Sequence, residues 1–296
     1  MKKRTTTVII ILMILTGLSL LLYPTVSNYL KTLAYRRTIS DYITSVEPMD
    51  DQRSEELLAA ARAYNERVEE RGEFLLTLPD EEWAEYSSLL DIDGTGIIGY
   101  VSIPKVNIAL PVYHGTGEGV LQSGVGHLEG SSLPVGGPGT HAVLSAHTGL
   151  PSAKLFTNID QLVEGDTFTV RVLKETLTYE VDQILVVLPH ETGSLWIVPG
   201  EDYCTLVTCT PYGVNSHRLL VRGHRIPTLP EEGTISNLVE ELLGLNHGRL
   251  FGLNAELGFL LILAVLAAVI LAVVLRRRRK KRLCEKENTS ETPPEP

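Results

Sequence analysis

Cys209 and Arg218 stand at the two ends of a short loop, Cys209-Thr-Pro-Tyr-Gly-Val-Asn-Ser-His-Arg218, between two β-prone runs. Pro211 and Gly213 turn the chain there, so both residues sit at strand ends, where a side chain is exposed yet rigidly held. A cysteine attacks a carbonyl as its thiolate, and an ordinary thiol with a pKa of ~8.5 supplies little thiolate at neutral pH. A nearby guanidinium favours the anion. It also offers a planar fork of donors to a developing oxyanion, which a lysine would not reproduce. Acyl transfer then lacks only an acid to protonate the leaving amine, normally a histidine.

Eight histidines compete for that role. His147 follows the apolar run Ala142–Ala146 and opens the loop Thr148-Gly149-Leu150-Pro151, a strand-end position like that of Cys209. His127, in Gly-His-Leu-Glu-Gly, is the runner-up. Spacing does not choose between them.

Of the three cysteines, Cys204 and Cys209 share one apparent strand, five positions apart. Side chains alternate along a strand and each residue advances ~3.3 Å, so these two face opposite ways ~16 Å apart. A disulfide needs Cα atoms within ~7 Å and is excluded. No Cys-x-x-Cys pair or cluster of carboxylates at ligand spacing suggests a metal.

The elements that must hold these residues begin at Ile97. From there short β-rich runs alternate with Gly and Pro: Ile97–Ile103, Ile108–Val112, Ala142–Ala146, Thr167–Leu173, Thr176–Val187, Tyr203–Cys209 and Arg218–Arg225. Seven or eight short strands at this spacing predict a sandwich or closed barrel. Upstream, Val26–Val46 reads as helical until Pro48. A second helix is capped by Asp50 or Asp51, carries Leu57, Ala61, Tyr64 and Val68 on one stripe, and closes at Gly72.

Two apolar segments bracket this domain. Val8–Tyr23 follows Lys2-Lys3-Arg4, and Leu257–Leu275 runs straight into a block of seven Lys/Arg at 276–282. Each is close to the ~20 residues that cross a bilayer, and basic flanks stay on the cytoplasmic side. No A-x-A-like site follows Tyr23, which favours a retained anchor over a cleaved signal. The expectation is a two-pass protein with both termini cytoplasmic and the middle outside. Setting aside +3 at the N-terminus and +4 from Arg276 onward, the net charge of −10 becomes −17 for the middle. Such a surface argues against nucleic acid. The expected organisation is an anchor at 1–25, a helical region at 26–96, a catalytic barrel at 97–227, a linker and amphipathic helix at 228–255, a second span at 256–275 and a basic tail at 276–296.

Thr205-Leu-Val-Thr-Cys209-Thr-Pro-Tyr-Gly-Val-Asn-Ser-His-Arg218-Leu resembles the sortase signature, T-L-x-T-C followed by an arginine, in its longer class C (pilin-assembling) form. Ile98–Lys105, Pro111–Thr116, Gly124–Gly137 and Ser145–Pro151 match the same class in order. The resemblance implies an eight-stranded sortase β-barrel, with N-terminal helices and two transmembrane helices around it here. It implies Cys209 as nucleophile, His147 as general acid and Arg218 as oxyanion or substrate-positioning residue. It implies an L-P-x-T-G-like signal on a pilin or surface protein as substrate, and no metal or organic cofactor. A housekeeping sortase that anchors proteins to a cell-wall precursor is the alternative within the family. A catalytically inactive, membrane-tethered binding module is the alternative outside it. Class C enzymes often carry a lid with an Asp-Pro-aromatic motif, which this chain lacks. The matching region, Phe74–Leu90, offers Pro79-Asp80-Glu-Glu-Trp83. Asp80 and Trp83 are therefore the candidates for a variant lid, against an ordinary loop with Trp83 packed on the Tyr64 helix.

Overall fold

The computed structural model describes residues 2–228. The expected linker helix, second span and basic tail lie outside the described residues. Within them, eight strands close into a barrel in the order β1-β2-β3-β4-β7-β8-β6-β5, with β5 returning to β1. They are β1 Ile97–Ile103, β2 Ile108–His114, β3 Val125–His127, β4 Thr140–Ser145, β5 Thr167–Val172, β6 Glu175–Val187, β7 Asp202–Thr210 and β8 His217–Ile226. Closure leaves no free sheet edge to pair with another chain. All seven expected runs begin and end within two residues of these strands. The unforeseen strand is β3. With three residues, it is too short to show alternation, and it forms because β2 and β4 offer it backbone partners on both sides.

Register explains which face each strand buries. Leu144, Leu206 and Val221 pair across β4, β7 and β8, are all fully buried, and point into the barrel. Cys204 shares that face and is also fully buried. Residues of opposite parity, including Cys209, face outward.

Helix α1 runs unbroken from Lys2 to Val46, with Pro24 inside it, so the apolar segment and the helix expected after it are one rod. Its stretch from Ile9 is long and apolar enough to cross a membrane. The C-terminal half lies along the barrel. The Tyr42 hydroxyl donates to the Ile98 carbonyl at 2.9 Å and accepts from the Leu173 N–H at 2.8 Å. Helix α2, Asp51–Arg71, starts where the Asp50 carboxylate accepts from the Arg53 N–H and ends at Gly72. Its buried stripe runs through Ser54, Leu58, Ala61, Asn65 and Val68, joined by Tyr64, so Leu58 takes the inward place expected of Leu57. Asn65 fastens α2 to the barrel through both the N–H and the carbonyl of Leu133.

Helix α3, Asp80–Ser88, occupies the segment left as the lid candidate. Its fully buried residue is Tyr86, whose ring lies between Tyr64, His114 and His127. The Trp83 ring packs against Tyr86, with centroids 5.4 Å apart, and against Gly115.

Candidate active site

Three strands deliver three side chains to the outer face at one end of the barrel. Cys209 of β7 and Arg218 of β8 are direct partners in an antiparallel ladder. On the other side of β7, the parallel ladder with β4 ends at Ser145 and Val207. The Ala146 N–H donates to the Val207 carbonyl at 3.1 Å, and the Thr208 hydroxyl donates to the Ala146 carbonyl at 2.8 Å, so the register persists past the strand. Two residues beyond Ser145 is His147, and two beyond Val207 is Cys209. Carried two residues past the ladder, this register sets His147 on one side of Cys209, with Arg218 on the other.

The loop that carries His147 folds back on itself. The Phe156 N–H donates to the His147 carbonyl at 3.1 Å, and the Gly149 N–H to the Thr157 hydroxyl at 3.1 Å. Gly149 has φ +74°, which favours glycine, and a Cβ there would come within 3.2 Å of the Tyr212 ring. Tyr212 thus braces the histidine loop from the Cys209–Arg218 loop. His147 Nε2 is shielded from solvent and has no hydrogen-bond partner among the described residues; the Glu118 carboxylate of helix α4 (Glu118–Ser123) lies 3.9 Å away. Arg218 spends Nη1 on the Asn215 and His217 carbonyls, at 3.2 and 3.1 Å. Its Nε and Nη2 have no partner among the described residues.

Cys209 is half-buried and free. Cys204 is fully buried, and burial drives its thiol well above the ordinary range, which leaves it inert. An apolar strip starts beside Cys209. The row Val207–Leu220–Leu185 adjoins the row Cys209–Arg218–Val187 on the outer face, and Val143, Leu195 and Leu128 extend it. Polar pairs close its far end: Arg222 holds Asp182 in two hydrogen bonds of 3.0 and 2.8 Å, and His141 Nε2 meets the Thr205 hydroxyl at 2.7 Å. Much of the strip is itself covered, since Val143, Leu220 and Leu195 are buried and Phe74 packs on them.

His127, the runner-up acid, is elsewhere. It is completely buried under α3. The Ser132 carbonyl can only accept, so His127 Nε2 donates to it at 2.7 Å, and Nδ1 accepts from the Tyr86 hydroxyl at 2.8 Å. Burial pushes its pKa down to about 3, so at neutral pH it is the neutral imidazole, with no imidazolium proton to give. His141 is likewise buried and pushed down to about 4.

Asp80 begins α3 and makes no ion pair with Arg218 among the described residues. From this segment it is Phe74 that packs on the apolar strip. Glu118, Phe74 and the Tyr212–Gly149 contact were not singled out in the sequence, although Tyr212 and Gly149 each lie inside a sortase-like motif. No group of three or more His, Cys, Asp or Glu residues is arranged to hold a metal among the described residues.

A thiol, a guanidinium with two nitrogens to spare and an imidazole at one end of the barrel suit acyl transfer through a thioester. Comparisons agree. The sortase-domain family model matches residues 101–226. Sortase A of Streptococcus agalactiae serotype III (strain NEM316) is 32% identical over 150 residues, which are 50% of this chain and 58% of that protein. The chain thus spans less than two thirds of this curated relative. The crystal structure of sortase C1 from Streptococcus agalactiae is 54% identical, covers 65% of this chain and 99% of its own, and superposes with a TM-score of 0.63. Sortase C from Streptococcus pneumoniae, studied for its pilin substrate specificity, is 44% identical over 65% of this chain and 97% of its own, with a TM-score of 0.58. On this identity over nearly the full length of solved class C structures, the chain belongs to the sortase family, in class C.

Proposed function

We propose that this chain is a membrane-anchored cysteine transpeptidase that cuts an L-P-x-T-G-like sorting signal and joins it to a lysine amine of a pilin subunit. One observation carries the reading: Cys209 and Arg218 are ladder partners, with His147 in line across β7. In the first step the Cys209 sulfur bonds to the carbonyl carbon of the signal's threonine. The free nitrogens of Arg218 stabilise the oxyanion. The threonine–glycine C–N bond breaks as His147 gives its proton to the leaving amine. In the second step the neutral lysine amine attacks the thioester carbon, His147 takes its proton, and the C–S bond breaks to release an isopeptide product and restore the Cys209 thiolate beside the charged His147.

The pilin assignment rests on class C likeness, since a pilin-specific enzyme is among the similar structures. In this reading α1 is a retained anchor, and the apolar segment at 256–275 is a second span with the basic tail at 276–296 on the cytoplasmic side. The barrel then lies outside the cell, and Asp80, Trp83 and Phe74 belong to a segment that restricts access to the thiol.

Intact-mass analysis of the full chain with a sorting-signal peptide and a lysine-bearing peptide tests the proposal. A thioester on Cys209 that converts to isopeptide product is expected. A thioester at another residue, or none, sinks it. Transfer to a cell-wall stem amine in preference to lysine would favour the housekeeping role.

A further inference from the structure

Helix α1 ties the apolar segment to one particular end of the barrel. At its C-terminal part, Tyr42 bonds to Ile98 and Leu173, at the end opposite the thiol. Fifteen residues earlier, or ~22 Å along a helix, α1 meets the catalytic end. There the Ser27 hydroxyl donates to the Ser152 carbonyl at 3.2 Å, the Lys154 N–H donates to Asn28 Oδ1 at 2.9 Å, and Lys31 Nζ donates to the Gln122 carbonyl at 3.3 Å. Ser152 and Lys154 belong to the loop that begins at His147, and Gln122 shares helix α4 with Glu118. The rod therefore leaves the barrel at the end that carries the chemistry.

From Ser27 back to Ile9 the helix runs another ~27 Å, close to the ~30 Å of a bilayer's hydrocarbon core. The headgroup layer adds only ~5–7 Å on each side. A core that ends near Tyr23 puts Ser27 and the loop it touches in that layer. The surface at this level has the matching chemistry. Tyr212 and Val214, in the loop between Cys209 and Arg218, are each 69% exposed, and Val26, Tyr29 and Leu30, on the stretch of α1 around Ser27, are exposed too. Tyrosines favour the headgroup boundary, and an exposed apolar loop tip gains by entering it. Lys31 and Lys154 add positive charge near the same level.

We infer that the catalytic end of the barrel is seated on the lipid bilayer, with Tyr212 and Val214 dipping into the headgroup–acyl boundary. The inference rests on α1 being a retained anchor and adds the orientation of the barrel to it. Substrate then reaches Cys209 along the membrane surface.

Photocrosslinking of the full chain in phosphatidylcholine–phosphatidylglycerol nanodiscs tests this. Benzoylphenylalanine is placed singly at Tyr212, Val214, Leu15 in the apolar helix, and Lys174 in the β5–β6 turn at the far end. Lipid adducts are read by mass spectrometry. Adducts at 212, 214 and 15, with none at 174, are expected. Adducts at 15 without any at 212 and 214 overturn the seating while leaving the anchor intact. Adducts at 174 as abundant as those at 212 overturn it too, because the barrel would then have no fixed orientation. No adduct at 15 sinks the anchor, and the seating with it.

Discussion

His127→Gln tests the assignment of the two leading histidines. Burial holds His127 down to about 3 and His141 down to about 4, against an ordinary 6.5. Both are neutral in the folded protein near neutral pH, whereas their unfolded counterparts take up a proton as the pH falls. For a histidine with a depressed folded value, the stabilising contribution is complete above the unfolded 6.5. It is lost as pH falls from there toward the folded value. At about pH 5 the linkage relation gives a loss of about 2 kcal/mol for each residue. That figure depends almost wholly on the unfolded value, because the folded groups are still neutral there. The two together remove ~4 kcal/mol from a domain whose total is ordinarily ~5–15 kcal/mol. Glutamine can donate to the Ser132 carbonyl and accept from Tyr86 as His127 does, but it does not titrate. Urea unfolding of wild type and variant at about pH 7.5 and 5 should therefore show the acid-induced loss reduced by about 2 kcal/mol in the variant, with peptide transfer retained. Equal losses in the two proteins would refute the buried neutral histidine. Loss of transfer as deep as that of His147→Ala would move the acid role to His127.

Arg218→Lys keeps the charge but not the fork, and should lower kcat about 100-fold or more; wild-type turnover would show that charge alone suffices. Cys204→Ala removes a small buried group from the barrel interior and should cost about 1 kcal/mol in denaturation while leaving transfer unchanged. Phe74→Ala should raise the rate at which a thiol reagent labels Cys209, because Phe74 lies on the apolar strip beside it. Trp83→Ala should have the smaller effect, since its ring packs on Tyr86 and Gly115; an equal or larger effect would make α3 part of the lid.

The barrel was legible because its strands obey a local rule, with alternation punctuated by Gly and Pro. β3 broke that rule by being only three residues long. The opposed faces of Cys204 and Cys209 followed from parity alone. The fate of His127 did not, because its burial comes from Tyr86, 41 positions upstream on a helix whose docking site no local pattern announces. Asp80 and Trp83 stood out by residue type, whereas the residue on the strip is Phe74, an ordinary apolar residue whose meaning depends on what lies beneath it. Membership of the family came from residue order within motifs, which spacing and composition do not contain.

The two ladders that meet at Cys209 differ in how far the chain must travel to make them. Arg218 is nine positions from the thiol in one antiparallel hairpin, while His147 is 62 positions away across a parallel pairing. Loop-closure entropy makes the longer connection ~2 kcal/mol more costly before packing rewards it. The hairpin can form as soon as β8 exists, but the β4–β7 pairing waits for the crossover between them. A folding chain can therefore bring Cys209 and Arg218 together before His147 joins them. On the proposed reading, the full trio exists only once the β4–β7 ladder has formed, so a half-folded molecule would be a poor catalyst.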